Sequence, residues 1–279
     1  MKIKSYAKLN LSLRVGKKLN SGLHNIQTNT FLINLHDKIL IKKNKKKKDR
    51  ITFNGPFSHL VEKKNNSIKK TLDIMRKFKI IDIFYDVQVK KNIPVFSGLG
   101  GGTSNAFFVA KYLLKKKSKS NLVWNSLEKK IGSDFKIFYR KQTYQKNLST
   151  LLNYEKKFTL FFLIVYPHIK CSTQKIYSYV EKSSRFSNTD YYKILSMQKL
   201  LKLLLNEKND LQKIVEKYHP EIRNILNDIK LQKGCYYSRI TGSGSVCYGV
   251  FKSKRLSILA SKNINKKFPN CWSEITKTI

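Results

Sequence analysis

The chain is expected to fold as a two-domain α+β protein, and three observations carry that expectation. In "AKLNLSLRV", residues 7–15, Leu9, Leu11, Leu13 and Val15 alternate strictly with Lys8, Asn10, Ser12 and Arg14, which is the two-residue period of a strand. In "PVFSGLGGGTSNA", residues 94–106, four glycines fall within five positions between a strand-like and a helix-like run. Beyond about residue 155 the pattern changes to helix pairs mixed with strands, so residues 1–155 and 156–279 are read as separate domains.

The first strand projects Lys8 and Asn10 together from its polar face, which is expected to be wet. Short strands follow at 31–35, 38–42 and 50–53. "NSIKKTLDIMRKF" then gives a helix with Ile68, Leu72, Met75 and Phe78 on its buried stripe. "FYDVQVKKN" alternates Val87 and Val89 with polar residues, as a strand does. "TSNAFFVAKYLLKKK" sets Ala106, Val109, Ala110, Leu113 and Leu114 at helical spacing. A further helix from about Leu122 to Ile131 ends at Gly132. In the second half, "FTLFFLIVY" (158–166) reads as a buried strand, too short to span a bilayer. Helices are expected over 173–182, 190–206, 209–218 and 220–232, the last with Pro220 near its start and Gly234 just past its end. Strands at "YYSRI" and "SVCYGVF", a helix over 254–267 and a strand at "CWSEIT" close the chain.

With 279 residues, 41% of them hydrophobic, the chain can bury a sizeable core. Its charge is unusual: Lys+Arg 57 against Asp+Glu 17 gives +40. Such a balance suits a nucleic-acid binder, or a general lysine bias without specific function. Lysines are spread along the whole chain, with runs at 42–50 and 115–120, and arginine is scarce. A dedicated reader of nucleic acid concentrates Arg forks and aromatics on one face, so a solvated, biased surface is the better reading. Either way the field attracts nucleotides and phosphate esters. Cys171, Cys235, Cys247 and Cys271 form no CxxC pair, and no histidines stand at metal spacing. Neither zinc nor a disulfide framework is expected, and a reducing, cytoplasmic setting is. "MKIKSYAKLN" has no apolar stretch of the signal-peptide kind.

The glycines of 98–102 sit on a strand-to-helix junction, with Thr103, Ser104 and Asn105 near the helix start, where such side chains cap free amides. A helix N-terminus behind a bare backbone is an anion site. The segment lacks the Lys of a P-loop, and Thr103 stands where GxGxxG requires otherwise. Asp134 follows Gly132 in "GSDF" and, taken alone, is equally a turn residue. "SRITGSGSVCYGVF" carries Gly242 and Gly244 between two strand-like pieces and reads as a hairpin or a second clamp. His24, in "SGLHNIQT", alone is an ordinary surface histidine.

Taken in order, "AKLNL", "GLHNIQT", "PVFSGLGGGTSNA", "GSDFKIF" and "RITGSGSVCYGVF" resemble the GHMP kinase superfamily. Within it they resemble the branch acting on 4-diphosphocytidyl-2-C-methyl-D-erythritol. The resemblance covers nearly the whole chain. It implies an N-terminal domain like one of ribosomal protein S5, a ferredoxin-like C-terminal domain, and phosphorylation of the substrate's 2-hydroxyl by ATP with Mg2+. It further implies that ATP lies against Pro94 and the run Gly98, Leu99, Gly100, Gly101, Gly102, Thr103 and Ser104, with adenine near Asn65 and Asn66. Asp134 is implied as the base, with Lys8 orienting it. Asn10, His24, Tyr177, Thr241, Gly242 and Ser243 are implied as substrate contacts, and the hydroxyl of Thr103 or Ser104 as the magnesium contact. The chain departs from the family at Leu23, where an aromatic is usual, and after Asp134, where "YRKQTYQKNLST" replaces a Gly/Ala-rich hairpin. An RNA-binding protein and a catalytically inactive relative are the alternatives at this stage.

Overall fold

The computed structural model describes residues 1–114 and 120–279, so nearly all of the lysine run at 115–120 lies outside the described residues. The chain forms two compact units that alternate along the sequence: Met1–Ala7, Leu35–Val95 and Gly100–Tyr139 in the first, Lys8–Asn34, Phe96–Leu99 and Arg140–Ile279 in the second. The junction expected at 155 falls within the second unit.

Two strands pass from one unit to the other, β1 (Lys2–Lys18) and β2 (His24–Asn44), and they pair with each other. In the first unit β2 runs antiparallel to β4 (Phe84–Lys90), with Lys38 opposite Lys90, and β4 runs parallel to β3 (Arg50–Asn54), with Arg50 opposite Asp86. The two strands expected at 31–35 and 38–42 are therefore one. His36 and Asp37 interrupt the apolar pattern, but Asp37 is buried with its carboxylate fully bonded, so the strand runs through. Helices α1 (Ser67–Lys77), α2 (Gly101–Leu114) and α3 (Ser120–Ile131) follow, then a short 3-10 helix over Ser133–Tyr139. Ile68, Leu72 and Met75 of α1 are buried as their spacing predicts. Phe78 instead ends the helix and is half-buried.

In the second unit β2 pairs antiparallel with β5 (Gln142–Gln145), and β5 with β6 (Leu151–Asn153). This hairpin gives no alternating signal because all four residues of β5 are buried, polar ones included. Gln142 is satisfied by the backbone of Phe158, donating to its carbonyl at 2.8 Å and accepting from its amide at 2.9 Å. That bond, and Leu160 N donating to Thr278 Oγ1, take the backbone out of the next ladder, so β7 spans Phe161–Tyr166 rather than starting at Phe158. α4 (Thr173–Ser178) is shorter than expected. The helix expected over 190–206 is a 3-10 turn, Tyr191–Lys193, and α5 (Met197–Leu205), divided where the Ser196 hydroxyl caps α5 by accepting from Lys199 N. α6 (Gln212–Tyr218), α7 (Pro220–Leu231), β8 (Cys235–Ile240), β9 (Cys247–Phe251), α8 (Lys254–Lys267) and β10 (Trp272–Lys277) complete the chain. β7, β8, β9 and β10 form an antiparallel sheet in the order β10-β7-β9-β8, and the sequence β7-α7-β8-β9-α8-β10 gives it the ferredoxin-like topology. Ile222, Ile225, Ile229, Ala260 and Ile264 pack its core with Leu163, Val165 and Phe251. Among the described residues, no helix is long and apolar enough to cross a membrane.

Candidate active site

In the first unit the glycine run opens α2. Gly101, Gly102 and Thr103 form its first turn, whose amides have no acceptor within the helix, and Ser104 N donates to Gly100 O at 2.9 Å. A Cβ on Gly101 would lie 2.9 Å from Ile93 and 3.3 Å from the Lys91 ammonium, so packing excludes one. At Gly102 the nearest atom is Ser67 Oγ at 3.8 Å, so its outer face is open. The hydroxyls do not cap the helix as expected, because the helix starts before them. Ser104 is fully buried, donating to Tyr6 O at 2.6 Å and lying 2.7 Å from Ser5 Oγ. Thr103, one residue earlier, is half-buried. Asn105 donates to Asp37 Oδ2 at 2.8 Å.

The start of α1 meets the same run through Ser67 Oγ, which donates to Gly102 O at 2.6 Å. Asn66 caps α1, accepting from Lys69 N at 2.9 Å, and is buried, whereas Asn65 is exposed. Asp134 lies half-buried in the first turn of the 3-10 helix, just after Gly132 with its φ of 135°. Buried Phe135 packs against Phe107 and Trp124, and Lys136 pairs with Glu128 at 3.1 Å, so both residues after Asp134 are anchored.

In the second unit the polar face of β1 is dry rather than wet: Lys8, Asn10 and Ser12 are each 3% exposed. Each makes hydrogen bonds within the protein. Asn10 Oδ1 accepts from the Lys8 ammonium, and its Nδ2 donates to Thr28 Oγ1 at 2.9 Å and Thr30 Oγ1 at 3.1 Å. Asn10 N donates to Thr241 Oγ1 at 3.0 Å. Thr241 opens the glycine turn between β8 and β9, which is the hairpin the sequence allowed. Gly98 lies against this turn at a φ of 80°, where a Cβ would stand 2.0 Å from Thr241 O. A Cβ on Gly242 would lie 3.4 Å from Lys8 Nζ and 3.5 Å from Asn10 Oδ1. Leu99 is buried and its carbonyl accepts from Lys8 N at 3.0 Å. Lys8, Asn10, Gly98, Leu99, Thr241 and Gly242 therefore converge, and Ser243, 3.0 Å from Thr173 Oγ1, links the turn to α4.

The same helix brings Tyr177 to His24, with ring centroids 5.8 Å apart and planes inclined by 38°. His24 Nδ1 donates to Gly16 O at 3.1 Å, which fixes the ring. Leu23 beside it is exposed.

Several supporting residues stand outside the expected substrate and nucleotide contacts. Thr28 and Thr30 share a strand face with two-residue spacing, a signal present within "HNIQTNT". Asn209 donates to Ile240 O at 3.0 Å and Gly242 O at 2.8 Å, holding the turn. Asp37 and Lys91 form a buried ion pair. Burial pushes the Asp37 carboxyl up, and the Lys91 charge and two backbone amides oppose that rise.

Residues 195–270 match the family model of the GHMP kinases C-terminal domain. The 4-diphosphocytidyl-2-C-methyl-D-erythritol kinase of Pelagibacter ubique (strain HTCC1062) is 36% identical over 100% of this chain and 99% of its own length. The protein of the same name from Wolbachia pipientis wMel is 30% identical over 97% of this chain and 96% of its own. Among solved structures, a 4-(cytidine 5'-diphospho)-2C-methyl-D-erythritol kinase matches with a TM-score of 0.76 at 19% identity, covering 100% of both chains. The homoserine kinase of Cytophaga hutchinsonii matches at 0.68 with 16% identity, covering 100% of this chain and 94% of its own, a likeness of fold alone.

Proposed function

The chain belongs to the 4-diphosphocytidyl-2-C-methyl-D-erythritol kinases of the GHMP superfamily, and from that premise we propose how its residues carry out the reaction. The reaction transfers the γ-phosphoryl group of ATP to the 2-hydroxyl of 4-diphosphocytidyl-2-C-methyl-D-erythritol, on the route to isoprenoid precursors that bypasses mevalonate. The RNA-binding alternative draws no support from the names of these relatives.

The observation that carries the residue assignment is the convergence of Lys8, Asn10, Gly98 and the Thr241–Gly242 turn, in which Gly98 has no room for a side chain. Such packing ties the crest of the glycine run to a cationic side chain. The run offers the amides of the first turn of α2 to the triphosphate, and the open face of Gly102 leaves the backbone accessible. Asn65, Asn66 and Ser67, at the start of α1, border the adenine, and Pro94 sets the entry to the loop. Asp134 accepts the proton of the acceptor hydroxyl, and Lys8, held by Asn10, steadies the charge that develops during transfer. His24 and Tyr177 hold the cytosine, while Asn10, Thr241, Gly242 and Ser243 contact the rest of the substrate.

Magnesium, when bound, neutralises charge on the transferring phosphates. No group of three or more His, Cys, Asp or Glu among the described residues has metal-binding geometry. The donor set therefore suits an ion held chiefly by phosphate oxygens, with Thr103 as the protein contact. We further propose that residues 1–155 and 156–279 are the evolutionary domains, a division distinct from that of the compact units.

The test is ADP release from Mg-ATP with three acceptors: 4-diphosphocytidyl-2-C-methyl-D-erythritol, homoserine and mevalonate. Turnover restricted to the first is the expected result. Equal or preferred turnover of either of the others would overturn the assignment.

A further inference from the structure

We propose that Asp37 is the positioning residue of the phosphate loop, a buried carboxylate that grips the chain on both sides of the glycine run without touching nucleotide. The proposal rests on the reading of residues 94–104 as the ATP cradle. Asp37 is 0% exposed and lies on β2, remote in sequence from the loop. Its Oδ1 accepts from Asn92 N at 2.8 Å and Ile93 N at 2.9 Å, the two residues directly before the loop. Its Oδ2 accepts from the Lys91 ammonium and from Asn105 Nδ2 at 2.8 Å, on the residue directly after it. One side chain thus closes the loop at both ends.

Lys91 completes the device. Its ammonium opposes the upward push of burial on the carboxyl, and it lies under the start of α2, 3.3 Å from where a Gly101 Cβ would stand. Asn92 adds a third tie, donating from Nδ2 to His36 O at 3.0 Å. A buried ion pair is a costly way to gain stability, since apolar residues of the same volume often serve as well. What this pair supplies that an apolar contact does not is direction: four donors converge on two oxygens and fix the ends of the loop relative to each other. A misplacement of about an ångström in a phosphate cradle weakens both binding and transfer.

The experiment compares the wild-type chain with Asn105→Ala, which removes one grip, and with the double variant Asp37→Asn, Lys91→Met, which removes both charges and leaves no buried ion unpaired. Kd for Mg-ATP is measured by direct titration without acceptor, KM is measured for each substrate, and folding is followed by circular dichroism. Both variants are expected to raise the Kd and KM of ATP by about fivefold or more, while the KM of the cytidylyl substrate stays within about twofold. ATP values within about twofold of wild type in folded variants, or both KM values rising in step, would overturn the proposal. Should the double variant fail to fold, Asn105→Ala decides alone. A wild-type chain that binds Mg-ATP without transferring phosphate would defeat the kinase reading yet leave the Kd comparison to decide on Asp37. A chain that does not bind ATP would remove both.

Discussion

At Gly98 the backbone adopts a φ of 80°, and the carbonyl of Thr241 occupies the space a side chain would need. Gly98→Ala therefore meets two obstacles at once, a left-handed backbone and a 2.0 Å clash with backbone. The strain alone costs about 1–3 kcal/mol, and thermal unfolding should show at least that loss together with weaker ATP binding. An alanine variant with unchanged melting temperature and unchanged KM for ATP would contradict the packing described. Tyr177 makes a different kind of prediction. Its ring meets His24 at 5.8 Å, so Tyr177→Ala should raise the KM of the cytidylyl substrate by about tenfold or more, the loss of one stacking contact. An effect confined to the KM of ATP would mean that the pair does not hold cytosine. Gly98 and His24 were legible as candidates because each lies in a motif that carries the family resemblance, and Tyr177 because that resemblance implies it. Asp37, Lys91 and Asn209 were not, because their role depends on partners distant in the chain, such as Asn105 for Asp37 and Gly242 for Asn209.

Strand β1 shows what a pattern reveals and what it hides. Its alternation identified the strand and the shared face of Lys8 and Asn10, yet that face is buried, since alternation reports polarity rather than exposure. The polar atoms are satisfied across β2 by Thr28 and Thr30 and across the turn by Thr241. Asn10→Ala breaks this set and leaves buried donors and acceptors unpaired, at about 1–3 kcal/mol. It should also release Lys8 from its fixed position, lowering kcat by more than the stability loss explains. Stability lost with kcat unchanged would make Asn10 a purely structural residue. The β5–β6 hairpin escaped sequence reading for a related reason: Gln142, Thr143 and Gln145 are buried polar residues, so no apolar period marks the strand. The ferredoxin-like half was more legible because β7, β9, α7 and α8 carry apolar residues at regular spacing over a common core.

For the molecule as a whole, the charge of +40 becomes a property of a kinase whose substrates are anionic. A field of that sign concentrates ATP and a nucleoside-diphosphate substrate near the surface, and salt screens it over about 8–10 Å at physiological strength. Raising the salt concentration from 50 mM to 300 mM (about a 2.5-fold shorter screening length) should therefore raise both KM values with little change in kcat. KM values insensitive to salt would show that the lysine excess plays no part in substrate capture. Composition alone left that charge open to nucleic acid, and the order of the five motifs, with relatives matched along the full chain, gave it a different meaning. The central claim is that this chain places a phosphoryl group on one hydroxyl with Asp134 as the base. The most direct measurement is the 31P NMR spectrum of the product formed from Mg-ATP and 4-diphosphocytidyl-2-C-methyl-D-erythritol by the wild-type chain and by Asp134→Asn. The account predicts a new phosphomonoester at the 2-position, formed about 100-fold or more slowly by the variant, as the loss of a general base requires. A phosphate at another position, no phosphomonoester at all, or equal rates from both proteins would contradict it.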